Sequence, residues 1–109
     1  MSPDKLDAVF SEGIAAERLP IGRGKVVRIA GKEVALFNVD GTIYALDDAC
    51  AHAGASLGSG KLRGGFVTCP GHGFQYDVRS GFCASISGLR VASYPVKVVD
   101  GKIMVAVGA

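Results

Sequence analysis

Both histidines of the chain and two of its three cysteines fall into two short motifs, Cys50-Ala51-His52 and Cys69-Pro70-Gly71-His72, with sixteen residues between them. Each motif offers one thiolate and one imidazole. A di-iron, di-sulfide cluster with two thiolates on one iron and two imidazoles on the other needs that stoichiometry. Cys50, His52, Cys69 and His72 are therefore the candidate ligands of one 2Fe-2S cluster. A structural zinc site also accepts two cysteines and two histidines, but its motifs usually pair like with like. The mixed pairing argues against zinc, and the common spacing of all four argues against ordinary surface histidines and buried thiols. With two neutral imidazoles the oxidised cluster is formally neutral, whereas an all-cysteine cluster carries two more negative charges. Adding an electron then meets less repulsion. Electrons are expected to pass singly through the His52 and His72 edge, with no substrate bond made or broken and no catalytic residue.

Cys83 has no such companion, and a small buried hydrophobe is its expected role. Gly54, Gly71 and Gly73 flank the candidate ligands and can take backbone conformations closed to other residues. Their N–H groups are expected to donate to the cluster sulfurs, whose charge must be satisfied in a partly buried place. Pro70 is expected to stiffen the second loop, and Leu57, Phe74 and Tyr76 to pack around the metal. Asp77 reads as a turn residue bonding local backbone. Lys61, Arg63, Arg79 and Arg90, with Asp47 and Asp48, read as solvated surface charge.

The elements that must position these loops are short strands. A first strand is expected around Leu6 to Phe10, then a turn or single helical turn and loop from Ser11 to Gly24. Lys25 to Ala30 leads through a turn at Gly31 into Lys32 to Val39, and Asp40-Gly41 turns the chain into Thr42 to Asp47. Asp-Gly between apolar runs is a strong hairpin signal, because both turn positions favour positive φ. The device recurs at Asp100-Gly101, joining Tyr94 to Val99 with Lys102 to Val107. Between the hairpins, residues 48–93 are rich in glycine and poor in apolar runs. A long irregular segment inside a small domain usually carries function.

The chain has 109 residues, 49% hydrophobic and 20% charged, with sixteen glycines and 7% aromatics. That composition is globular and favours an all-β fold, in a single domain over 1–109 with a cluster-binding subdomain at about 48–93. A net charge of +2 is too small to argue for nucleic acid or a membrane surface. No apolar run of signal-peptide or membrane-spanning length appears, so the cytoplasm is the expected location.

The sequence resembles the Rieske family, and specifically the small Rieske ferredoxins of bacterial ring-hydroxylating oxygenase systems. The likeness rests on Cys50 to Leu57 followed by Gly60, on Cys69 to Asp77 with Ser80-Gly81, and on Tyr94-Pro95-Val96 with the closing hairpin. It implies a Rieske fold, a small antiparallel β-sandwich or barrel with two inserted cluster loops. It also implies a one-electron carrier between an NAD(P)H-dependent flavoprotein reductase and a terminal oxygenase, monomeric as suits a shuttle. A small subunit of a larger reductase, such as nitrite reductase, or a redox sensor are the alternatives. The terminal oxygenase itself needs a further two-histidine, one-carboxylate iron site, and no histidine is left to build one. High-potential members carry an extra disulfide-forming cysteine in each loop, where this chain has Ala55 and Gly71, and a serine where it has Phe74. The potential is thus expected toward the low end of the family's roughly −150 to +300 mV span, with Tyr76 matching a high-potential feature. Members usually have prolines in the stretch that is Ala84 to Leu89 here, which leaves open how that side of the cluster is covered.

Overall fold

Lys32 to Val39 runs apolar without alternation through its centre, the pattern of a strand covered on both faces. The computed structural model, which describes residues 9–49, 55–71 and 73–108, makes this run the central wall of the molecule. Val34, Ala35, Leu36 and Phe37 are all fully buried. Because successive side chains point to opposite faces, Val34 and Leu36 enter one hydrophobic core and Ala35 and Phe37 another.

The strands are β1 (Ser11–Ala15), β2 (Gly24–Ile29), β3 (Lys32–Val39), β4 (Thr42–Asp47), β5 (Lys61–Arg63), β6 (Phe66–Thr68), β7 (Gln75–Asp77), β8 (Ser93–Tyr94), β9 (Val96–Val99) and β10 (Lys102–Val105). They form three antiparallel sheets, ordered β1-β10-β9, β2-β3-β4-β8 and β5-β6-β7. The helical elements among the described residues are single 3-10 turns at Ala16–Arg18 and Leu57–Ser59. The fold is all-β and antiparallel, as its composition and turns imply.

Among the described residues, four hairpins close on two-residue turns with positive φ at both positions. One is Gly64-Gly65 between β5 and β6 (56° and 93°), which sets Arg63 opposite Phe66. The other three, which carry a residue other than glycine at the first position, are Ala30-Gly31 (49° and 83°), Asp40-Gly41 (52° and 95°) and Asp100-Gly101 (50° and 76°). This turn twists with the strands it joins, and it fixes the register as Ile29 opposite Lys32, Val39 opposite Thr42 and Val99 opposite Lys102.

The first core joins Ala35, Phe37 and Leu46 of the β2-β3-β4-β8 sheet to Leu57, Val67, Cys69, Tyr76, Val78, Cys83 and Val91. The second joins Val34, Leu36, Ala45 and Ile29 to Leu19, Ile103, Val105 and Val107. The β1-β10-β9 sheet thus serves only the second, and the β5-β6-β7 sheet only the first.

Several boundaries differ from expectation, the smallest difference being at β2, which runs Gly24–Ile29 where Lys25 to Ala30 is expected. The first strand is Ser11–Ala15, while Val9 and Phe10 are irregular and Leu6 to Ala8 lie outside the described residues. Its place is set by pairing with β10, Ser11 opposite Val105 and Ala15 opposite Lys102, with a bulge between. The run Tyr94 to Val99 is interrupted at Pro95, which has no N–H to give a ladder. Tyr94 pairs with β4, Val96 pairs with β10, and the Pro95 carbonyl accepts from the Ala106 N–H at 3.0 Å. β10 ends at Val105, before the closing turn.

Candidate metal centre

Cys69 follows directly on β6 and Phe74 directly precedes β7, so the second motif is the tip of a hairpin. The Cys69 N–H donates to the Phe74 carbonyl at 2.7 Å, and the Cys69 carbonyl accepts from the Gly73 N–H at 2.9 Å. Closing the loop this tightly requires Gly73 at φ +76°, a conformation costly for any side chain. The Gly73 N–H is thus engaged by backbone, which corrects the expectation that it serves a sulfide. Gly54 lies outside the described residues. The Cys69 side chain is 1% exposed, on a loop whose Pro70, Gly71 and Gly73 are exposed. A buried sulfur on the inner rim of an open loop suits a metal-ligating thiolate, which needs shielding from water and one open side.

The ends of the first loop are pinned as firmly. Ala49 and Ser56 form an isolated antiparallel bridge, and the Leu57 N–H donates to the Asp48 carbonyl at 2.7 Å. The buried carboxylate of Asp48 accepts at Oδ1 from the Gly58 N–H at 2.7 Å and the Ser56 hydroxyl at 3.0 Å. Asp47 Oδ1 accepts from the Ala49 N–H at 3.2 Å. Asp48 is therefore no solvated charge. It positions the first loop, and a sequence reading misses it because its burial follows from the bridge next to it.

The two loops meet through one core. Leu57, Tyr76 and Cys69 are buried together, with Ala55 and Phe74 packed at its edge. Cys50, His52 and His72 lie outside the described residues, so of the four candidate ligands the structure places Cys69. Among the described residues no group of three or more His, Cys, Asp and Glu is arranged to hold a metal ion. The residues present fit a cluster, since a shielded thiolate and two rigid loop bases converge on one dry wall. Cys83 is buried in the same core, as expected of a packing thiol.

The stretch Ala84 to Leu89 is tied to β7 without prolines. The Ala84 N–H donates to the Gln75 carbonyl at 2.7 Å, and the Ser85 hydroxyl accepts from the Gln75 N–H at 3.1 Å. The Cys83 N–H donates to the Leu89 carbonyl at 2.8 Å. A serine side chain here supplies the acceptor that lets the segment continue the sheet edge beside the second loop.

The outer face of this sheet is read off its register. Leu62, Val67 and Tyr76 point inward, so their neighbours point out. One row runs Arg63, Phe66, Asp77. The Tyr76–Cys83 and Phe82–Arg90 bridges extend it to Phe82 and Arg90. The next row, nearer the metal loop, runs Lys61, Thr68, Gln75. Asp77 caps its own turn, accepting from the Arg79 N–H at 2.9 Å and from Arg79 Nε at 3.0 Å. Partial burial alone would push the Asp77 carboxyl up, but the hydrogen bonds and charge of Arg79 outweigh it and hold the pKa below the ordinary value.

The profile of the Rieske [2Fe-2S] domain matches residues 12–95. The anthranilate 1,2-dioxygenase ferredoxin subunit of Burkholderia cepacia is 39% identical, across 91% of this chain and 100% of its own length. The ferredoxin of carbazole 1,9a-dioxygenase from Nocardioides aromaticivorans IC177 superposes with a TM-score of 0.84 at 28% identity, over 90% of this chain and 97% of its own. A chain from the complex of reduced oxygenase and oxidised ferredoxin in carbazole 1,9a-dioxygenase gives 0.81 at 30% identity, over 92% and 94%.

Proposed function

The chain belongs to the Rieske 2Fe-2S family, and from that premise we propose that it is the ferredoxin of a multicomponent ring-hydroxylating oxygenase system. It carries one Rieske-type 2Fe-2S cluster and acts as an electron carrier rather than an enzyme. The observation that carries the finer reading is the likeness to a dioxygenase ferredoxin subunit along that relative's entire length. The proposed cluster ligands are Cys50, His52, Cys69 and His72, and the proposed cluster-binding subdomain is residues 48–93 of a single domain. Its own three-stranded sheet and its separation from the β1-β10-β9 sheet support that division.

A Rieske cluster stores one electron at a potential set by its mixed ligands and by the polar groups around it. This chain's residues hold the site and keep water from its inner side. Leu57 and Tyr76 form the dry wall, Asp48 fixes the first loop, and the Gly73–Cys69 hydrogen bond fixes the second. The proposed donor is an NAD(P)H-dependent flavoprotein reductase and the proposed acceptor a terminal oxygenase, reached in turn by a monomeric shuttle. Among the described residues no helix is long and apolar enough to cross a membrane, and the cytoplasm is the proposed location.

Electron paramagnetic resonance of the dithionite-reduced protein tests this reading. The low average g-value produced by nitrogen ligation is expected, abolished or altered in His52→Ala and His72→Cys and intact in Cys83→Ser. Loss of the cluster in Cys83→Ser, or its survival unchanged in both histidine variants, would overturn the ligand assignment.

A further inference from the structure

Positive charge is unevenly placed along this chain. Residues 49–93 contain Lys61, Arg63, Arg79 and Arg90 against one carboxylate, Asp77, while the remainder holds eight cations and nine carboxylates. All four cations of that segment gather on the outer side of the β5-β6-β7 sheet. Arg63 and Arg90 end the outer cross-strand row, with Phe66 and Phe82 inside them. The Arg90 guanidinium lies 5.3 Å from the Phe82 ring centroid, and Phe82 is 50% exposed. Arg79 lies over the turn between β5 and β6, where a Cβ added at Gly65 would be 3.6 Å from its Cζ. The one carboxylate on this face is already paired, Asp77 with Arg79 at 3.0 Å. Among the described residues neither Lys61 nor Arg63 has an ion-pair partner within 4.0 Å.

We propose that this outer face, Lys61, Arg63, Phe66, Arg79, Phe82 and Arg90, is the docking surface for an electron-transfer protein that presents an acidic face. Arginine and exposed aromatic rings are the side chains that interfaces concentrate: a ring offers a large contact area with few torsions to freeze, and a guanidinium offers a planar fork of five donors that also stacks on rings. Unpaired cations on a face attract a negatively charged partner and speed encounter at low salt. The position makes such docking productive. Thr68 and Gln75, in the row beside Lys61, directly flank the Cys69–Phe74 loop. The arginine row lies only two residues further back, about 7 Å along the strands. An acidic patch seated here therefore rests against the loop carrying the proposed cysteine and histidine ligands. The inference rests on the carrier reading above and adds the chemistry of the partner.

Horse cytochrome c, whose surface is basic, and its fully succinylated, acidic form serve as paired acceptors for the test. The reduced protein gives one electron to the ferric haem of either, and the ferrous product is followed by stopped-flow absorbance. At low ionic strength the acidic acceptor is expected to react about tenfold faster, a preference that collapses once the screening length drops to a few ångströms. Lys61→Glu/Arg63→Glu is expected to erase or invert the preference. Lys97→Glu/Lys102→Glu, which makes the same change in net charge on the β1-β10-β9 sheet, should preserve most of it. Resonance spectra come first. A wild type without the Rieske signal fails the carrier reading, whereas intact signals in all variants isolate the docking question. Equal rates with the two acceptors, or equal effects of the two double variants, would overturn the proposal. So would self-association in sedimentation that Lys61→Glu/Arg63→Glu abolishes, since that assigns the face to a second copy of the chain.

Discussion

Asp48 shows how much a single acceptor can organise. Its Oδ1 takes the Gly58 N–H and the Ser56 hydroxyl at once, tying the exit of the first loop to its entrance. Asp48→Ala removes that acceptor and leaves a part-buried amide without its partner, a loss of about 1–3 kcal/mol. Asp48→Asn keeps an oxygen in place and should recover most of it. Urea unfolding of the iron-loaded proteins measures the stability, and the rate of iron release to a chelator should rise in Asp48→Ala more than in Asp48→Asn. The candidate ligands could be read in the sequence because thiol and imidazole are rare and chemically specific. Asp48 could not, since an aspartate beside a loop reads as solvated until the Ala49–Ser56 bridge covers it. Ser85 is similar, its role fixed by a strand edge ten residues earlier in the chain.

Among the elements, the segment after β7 depends on one glycine. Gly81 sits at φ +84°, its N–H donates to the Asp77 carbonyl at 2.7 Å, and its own carbonyl accepts from the Val91 N–H at 2.9 Å. A Cβ there would run into the Val91 carbonyl oxygen, so the backbone must part. Gly81→Ala is expected to cost more than about 2 kcal/mol, strain and lost hydrogen bond together. Gly101→Ala, at φ +76° with nothing within 4 Å of the added carbon, should cost only about 1 kcal/mol of backbone strain. Thermal unfolding of the two variants side by side reads the difference. The Asp-Gly hairpins were legible because their turn chemistry is local and carries its own conformational preference. The placing of β1 and the exchange of sheets at Pro95 were not, because each is decided by a partner strand distant in sequence.

Over the whole molecule, two cores share the wall made by β3 and answer to different ends. The core containing Cys69 draws on both loop bases, while the other is closed by Ile103, Val105 and Val107 from the β1-β10-β9 sheet. Removing iron should therefore loosen the protein unequally, since local opening follows local packing. Hydrogen exchange of the iron-free protein is expected to show faster amide exchange in β5, β6 and β7, with β9 and β10 unchanged. Uniform loss of protection across all strands would contradict the division. The Asp100-Gly101 turn belongs to a sheet that gives no side chain to the Cys69 core. A short peptide tether grafted into that turn could fasten the protein to an electrode or a fusion partner while its redox end stays turned to solution.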